Sequence, residues 1–338
     1  MNNDLLVTLG PTSMNKDTVT SCAELGVYLF RINLSHTPID QVEETIKRIR
    51  LWTDRPVCLD SEGAQLRNGA MKDEVTEFIK GEEIRIELDS VIGNSQRLSF
   101  NPASVCRQFE VGDKIQVDFN HVQFEVTEKF SDHYSAIVLN GGFIGSNKAV
   151  DVNRELVFDS LTKKDRQAIE IGNRNNVNHF ALSFANLPEN VDTMRELCGG
   201  GAKIICKIES SSGVNNLESI IQRADEILID RGDLSRCVPI ERIPFLQRRI
   251  ISTACLMDTP VFVTTNLLES MVITRPPTRA EVNDVVSTLE MGANGLVLAA
   301  ETAIGKYPVE AVQMIRSLIN ETKRWTPNTS IADLMRTQ

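Results

Sequence analysis

The chain has 338 residues, 41% hydrophobic and 24% charged, an ordinary balance for a globular protein of about two domains. Lys and Arg number 36 against 46 Asp and Glu, and a net charge of −10 argues against a general nucleic-acid binder, which needs a basic face to displace counterions, while leaving room for a small local anion site. No apolar run approaches the ~20 residues of a membrane span, and seven scattered cysteines, an odd number, suit reduced core thiols in a cytoplasm. The opening Met1-Asn2-Asn3-Asp4 has no basic stretch, so no secretory leader is expected.

Along the chain, eight apolar, β-branched runs read as strands: Leu5–Gly10, Tyr28–Asn33, Pro56–Asp60, His179–Phe184, Lys203–Glu209, Ile227–Arg231, Val261–Asn266 and Gly295–Glu301. Segments of helical period lie between and after them, at 15–25, 38–51, 162–174, 188–197, 214–224, 241–257, 279–291 and 308–323. Continuous apolar strands separated by helices imply a parallel sheet covered on both faces. Eight such units, with no glycine-rich fingerprint after the first strand, predict a closed (β/α)8 TIM barrel rather than an open dinucleotide-binding sheet.

One stretch interrupts the alternation. Between Gly69 and Asn147 the pattern is of short strands, Glu83–Leu88, Lys114–Val117, Gln123–Val126 and Ala136–Leu139, separated by turn signals such as Ile92-Gly93-Asn94 and Asn140-Gly141-Gly142. The prediction is a small all-β domain inserted after barrel strand three. The expected boundaries are 1–68 with 148–323 for the barrel, 69–147 for the insert and 324–338 for a C-terminal tail.

In a (β/α)8 barrel the active site gathers where the strands end. Here those ends carry Arg31 and Asn33, then Ser35 and His36; Asp60 and Ser61; Lys207 and Glu209; Asp230 to Asp233; Thr264 to Asn266; and Glu301. Lys207 and Glu209 are two apart on one strand and share a face. Two carboxylates, Glu209 and Asp233, suit Mg²⁺ or Mn²⁺, which bind through one or two carboxylates plus substrate oxygens. Arg31 and Lys207 would then face an anion such as a phosphoryl group. There is no Walker A loop, since Gly305-Lys306 is followed by Tyr307. The four histidines, His36, His121, His133 and His179, have no metal-ligand spacing, and no Cys-x-x-Cys pair exists, so no zinc site is expected.

The ordered segments Phe30-Arg31-Ile32-Asn33-Leu34-Ser35-His36, Lys207-Ile208-Glu209, Arg231-Gly232-Asp233-Leu234, Thr265-Asn266-Leu267-Leu268-Glu269-Ser270-Met271, Pro277-Thr278-Arg279-Ala280-Glu281 and Glu301-Thr302-Ala303 resemble the pyruvate kinase family. The resemblance runs over about residues 4–323. It implies a catalytic barrel with a β-domain lid, phosphoenolpyruvate and a nucleotide as partners, and pyruvate and the triphosphate as products. It implies that Glu209 and Asp233 bind the divalent ion, that Lys207 and Arg31 stabilise the phosphoryl group, and that Thr265 stands beside the enolate. It further implies K⁺ at Asn33, Ser35, Asp60 and Ser61, and nucleotide contacts from Arg67, His36 and Lys148, with Asn33 nearby. The family's C-terminal domain is expected to be absent, and with it any response to sugar phosphates. A homo-oligomer is among the assemblies to expect.

Departures from the family pattern accompany the matches. Ala299-Ala300 stands where the family has Ser-Gly, Ile304 where a lysine is expected, and Asp230 where the residue is small. Glu62-Gly63-Ala64-Gln65-Leu66-Arg67 replaces Lys-Gly-Pro-Glu-Ile-Arg. Three functions therefore compete: a pyruvate kinase reaction, the same site acting on another phosphoryl acceptor or oxoacid, and a non-catalytic binding protein. Retention of Arg31, Lys207, Glu209 and Asp233 counts against the last.

Overall fold

A computed structural model describes residues 3–63, 65–118, 122–154, 156–325 and 328–335. The chain forms two compact units, residues 1–63 with 160–338, and residues 64–159.

The first unit is a closed parallel barrel. Its strands are β1 (Asp4–Leu9), β2 (Leu29–Asn33), β3 (Val57–Asp60), β4 (His179–Leu182), β5 (Lys203–Ile208), β6 (Glu226–Asp230), β7 (Val261–Thr264) and β8 (Gly295–Leu298). Each lies beside its predecessor and successor, and β8 closes on β1 through Asp4 opposite Gly295 and Val7 opposite Leu298. This confirms the predicted TIM barrel with a β-domain inserted after strand three.

The strands read as unbroken apolar runs because both faces are buried. One inward side chain per strand fills the barrel centre: Leu6, Leu29, Cys58, Ala181, Ile205, Leu228, Phe262 and Val297. The outward side chains, such as Val7, Phe30, Leu59, Ile204 and Ile227, pack with the helices in the larger core. Helix Ile39–Trp52 buries Val42, Ile46 and Ile49, a spacing of four and three that puts one stripe on the sheet. Helices Lys163–Arg174 and Arg279–Glu290 each start at a threonine capping box, at Thr162 and Thr278, which satisfies N–H groups the first turn leaves unpaired.

Several expected elements have other bounds, β4 ending at Leu182 and β7 at Thr264 among them, and two differ for a clear reason. The helix expected over 214–224 is two short ones, Ser211–Asn215 and Leu217–Ile221, parted at Asn216, whose side-chain amide donates to Asn186 O and Ser212 O. Strand eight stops at Leu298 because Ala300–Ala303 turns helical, with Glu301 accepting from Ala299 N at 3.0 Å.

The second unit holds a seven-stranded sheet in the order Val150–Val152, Lys114–Val117, Val122–Lys129, His133–Asn140, Glu83–Glu87, Arg97–Asn101, Arg67–Asn68, and a two-stranded one, Gly142–Ile144 with Thr76–Phe78. Alternating residues fill its core, where Phe78, Phe100, Phe109, Phe124 and Tyr134 are buried and meet in edge-to-face or tilted pairs.

Candidate active site at the barrel mouth

Side chains two apart on a strand share a face. Two positions beyond the central layer, six strands therefore present Thr8, Arg31, Asp60, Lys207, Asp230 and Thr264, and Ser183, just past the end of β4, joins them through hydrogen bonds to Ser61 and Lys207. The centre of the barrel is apolar and this next layer, at the C-terminal end, is ionic.

Arg31 and Lys207 are 4% and 6% exposed, so each needs a compensating anion. Asp60 serves both: Arg31 Nη1 donates to Oδ2 at 2.8 Å, and Lys207 Nζ lies 3.4 Å from Oδ1. Arg31 Nε donates to Thr8 Oγ1 at 2.8 Å. Lys207 Nζ donates to Ser183 Oγ at 3.0 Å and lies 2.8 Å from Glu209 Oε1. Burial alone would make Lys207 a weaker base. Asp60, Glu209 and Asp230 outweigh it and hold the ammonium well above the usual lysine range, so it stays charged.

Ser183 Oγ donates to Ser61 O at 2.7 Å, and its backbone N–H donates to Ser61 Oγ at 2.8 Å, which ties the end of β4 to the end of β3. Ser183 was not among the predicted site residues. Its one signal was a place two positions beyond Ala181, within the expected strand His179–Phe184.

Three carboxylates converge beside Lys207. Oxygens of Glu209, Asp230 and Asp233 lie within 4.8 Å of one another. Glu209 is 2% exposed; its Oε2 accepts from Phe184 N at 2.7 Å, and its Oε1, although close to the lysine, makes no hydrogen bond. Burial raises the proton affinity of both Glu209 and Asp233, and the neighbouring carboxylates raise it further. Three carboxylates this close would suit Mg²⁺ or Mn²⁺, which bind through carboxylates together with water or substrate oxygens. Three acidic side chains converging at a mouth where, among the described residues, only Lys207 and Arg236 pair with them fit a metal ion.

Thr265 is held in a left-handed backbone conformation, φ +75°, costly for a β-branched residue. Two contacts impose it. Arg231 Nε and Nη2 both donate to Thr265 O, while Arg231 Nη1 pairs with Asp284 at 2.6 Å. Thr265 Oγ1 donates to Asp230 Oδ1 at 2.7 Å. Gly232 lies beneath: a Cβ there would meet Thr265 Cγ2 at 2.9 Å.

The structure thus brings Arg31, Asp60, Ser61, Lys207, Glu209, Asp233 and Thr265 to one mouth. Asn33 pairs with Asp60 across β2 and β3, and its Oδ1 accepts from Ser35 N at 2.9 Å. Ser35 and His36 are exposed. Arg67 and Lys148 belong to the second unit, where Arg67 donates to Asn147 O and Gln65 Oε1 and Lys148 pairs with Asp118 at 3.0 Å. His121 lies outside the described residues. Ala299 follows the end of β8 as the N-cap of helix Ala300–Ala303 and brings a methyl group with no hydroxyl, and Ile304 is 58% exposed.

The family model for the pyruvate kinase barrel domain matches residues 1–312. The chain is 33% identical over 329 residues to the pyruvate kinase of Thermotoga maritima, covering 95% of this chain and 71% of that protein. It is 31% identical to plastidial pyruvate kinase 3 of Arabidopsis thaliana, covering 96% and 58%, and 31% identical to the pyruvate kinase of Bacillus licheniformis, covering 94% and 57%. The chain thus spans between 57% and 71% of the length of these three relatives.

Proposed function

Because the chain belongs to the pyruvate kinase family, we propose that it transfers a phosphoryl group from phosphoenolpyruvate to a nucleoside diphosphate, releasing pyruvate and the triphosphate, a step of glycolysis. The supporting observation is the pairing of two buried cationic side chains, Arg31 and Lys207, with a cluster of three carboxylates just beyond β5 and at the end of β6 and the turn of helix that follows it. Phosphoryl transfer asks a protein mainly for positioning and for fixed charge where charge develops.

Glu209 and Asp233, with Asp230 beside them, are the residues for Mg²⁺ or Mn²⁺, which when bound adds positive charge at the phosphoryl and substrate oxygens. Lys207 and Arg31 hold two further charges toward the transferring group, kept in place by Asp60, so little reorganisation accompanies the reaction. Thr265 stands beside the enolate, its hydroxyl oriented by Asp230. Asn33, Ser35, Asp60 and Ser61 are the residues for K⁺; Arg67, His36 and Lys148 are those for the nucleotide. A cytoplasmic setting agrees with seven free cysteines.

A second reading keeps the site and changes the acceptor or the oxoacid. Asp230 and Ala299 favour it, since the first adds a negative charge beside an anionic substrate and the second brings no hydroxyl donor to the end of β8. A coupled assay for pyruvate release, over several nucleoside diphosphates with Mg²⁺ and with Mn²⁺, separates them. Metal-dependent pyruvate release supports the first reading, and none with any diphosphate supports the second.

A further inference from the structure

Asp230 differs from its two carboxylate neighbours in how it is held. Glu209 has Lys207 at 2.8 Å, and Asp233 has Arg236 at 3.2 Å. Among the described residues no cationic side chain stands within ion-pairing distance of Asp230. Its Oδ1 is instead gripped by two neutral donors, Thr265 Oγ1 at 2.7 Å and Gly232 N at 3.1 Å. Two consequences follow. The carboxylate is fixed, with no direct ion-pair partner among the described residues, where its oxygens reach those of Glu209 and Asp233 within 4.8 Å. It also consumes the hydroxyl and the amide that face this side of the mouth, donors that an incoming anion would otherwise use.

We propose that Asp230 sets the binding preference of this site: it gives the divalent ion a third protein carboxylate, so that the ion binds without substrate, and it denies the substrate carboxylate both its donors and an uncharged neighbour, so that phosphoenolpyruvate is held loosely. This rests on the reading of Glu209 and Asp233 as metal ligands. Both effects come from one negative charge, so its removal moves them in opposite directions: the ion loosens while the anionic substrate tightens. Loss of a mere structural cap would weaken both together.

The test uses the full chain with Mn²⁺, read by electron paramagnetic resonance of the free ion, and phosphoenolpyruvate, titrated calorimetrically at saturating Mn²⁺. Asp230→Asn retains an oxygen for Thr265 and Gly232 and removes the charge; Asp230→Ala removes both. In both variants Mn²⁺ should bind at least tenfold more weakly and phosphoenolpyruvate at least tenfold more tightly than in the wild type. Unchanged Mn²⁺ binding in Asp230→Asn, or weaker phosphoenolpyruvate binding in both variants, overturns the proposal. Glu209→Gln distinguishes the reading beneath it: if that variant binds Mn²⁺ as the wild type does, the metal assignment fails, whatever Asp230 does.

Discussion

Replacing Lys207 with Met removes a buried charge while keeping most of the side chain's volume. At an effective dielectric of about 20, an ammonium 2.8 Å from Glu209 and 3.4 Å from Asp60 gains roughly 6 and 5 kcal/mol of Coulomb energy, offset by several kcal/mol for its own burial. The net loss of stability should be about 3–5 kcal/mol, as when one partner of a buried pair is removed. The loss in rate is a separate quantity. A charge used mainly in the transition state is worth about 10²–10³-fold in kcat, with substrate affinity changed far less. Mn²⁺ binding should persist, since none of the clustered carboxylates is removed. Unfolding in denaturant gives the first quantity, pyruvate-release kinetics split into kcat and KM the second, and Mn²⁺ titration the third. An unchanged kcat in a folded Lys207→Met protein would refute the role assigned to this residue on both enzyme readings.

Gly232→Ala puts a Cβ 2.9 Å from Thr265 Cγ2, so the variant should lose about 1–3 kcal/mol of stability and more than tenfold in pyruvate formation; wild-type kinetics would show that the position of Thr265 does not matter to turnover. His179, 9% exposed and in contact with Tyr28 OH at 3.2 Å, is pushed down by burial to about 4 from 6.5. The unfolded chain takes up this proton first, so the contribution is complete above pH 6.5 and is lost as pH falls toward 4, at a cost on the order of 2 kcal/mol; urea titrations at pH 7 and pH 5 should show the drop, and His179→Asn should remove that part of it. Restoring the family dipeptide with Ala299→Ser and Ala300→Gly should speed pyruvate formation and shrink the solvent deuterium effect, because Ala299 brings no hydroxyl to the end of β8. If the double variant is no faster and the wild type shows no deuterium effect, protonation is not limiting and the second functional reading gains.

The barrel is legible in the sequence because each of its strands is buried on both faces, which leaves apolar runs such as Ile204–Cys206 and Ile227–Ile229 with few alternatives. In the inserted unit the strands near Glu83–Glu87, Lys114–Val117, Val122–Lys129 and His133–Asn140 were legible, whereas Arg97–Asn101, which pairs in parallel with Glu83–Glu87, and Val150–Val152 were not. Arg67–Asn68, Thr76–Phe78 and Gly142–Ile144 have two or three residues each and pair across long separations, Arg67 with Asn101 and Thr76 with Ile144, so no local pattern marks them. Among site residues, Arg31, Lys207 and Glu209 stand out as charges inside apolar runs. Ser183 does not, since it is an uncharged residue within the expected strand His179–Phe184, and only its hydrogen bonds to Ser61 and Lys207 show that it belongs to the site. The grip of Asp230 on Thr265 and Gly232 depends on the left-handed turn after β7, which composition does not signal.

Phosphorus-31 magnetic resonance of the full chain with phosphoenolpyruvate, a nucleoside diphosphate and Mg²⁺ follows the transferring group itself. Loss of the phosphoenolpyruvate resonance should accompany growth of the triphosphate's terminal phosphorus, abolished by chelation of the metal and slowed at least a hundredfold by Lys207→Met. A folded, Mn²⁺-binding protein that leaves both resonances unchanged with every diphosphate would contradict the proposed phosphoryl transfer.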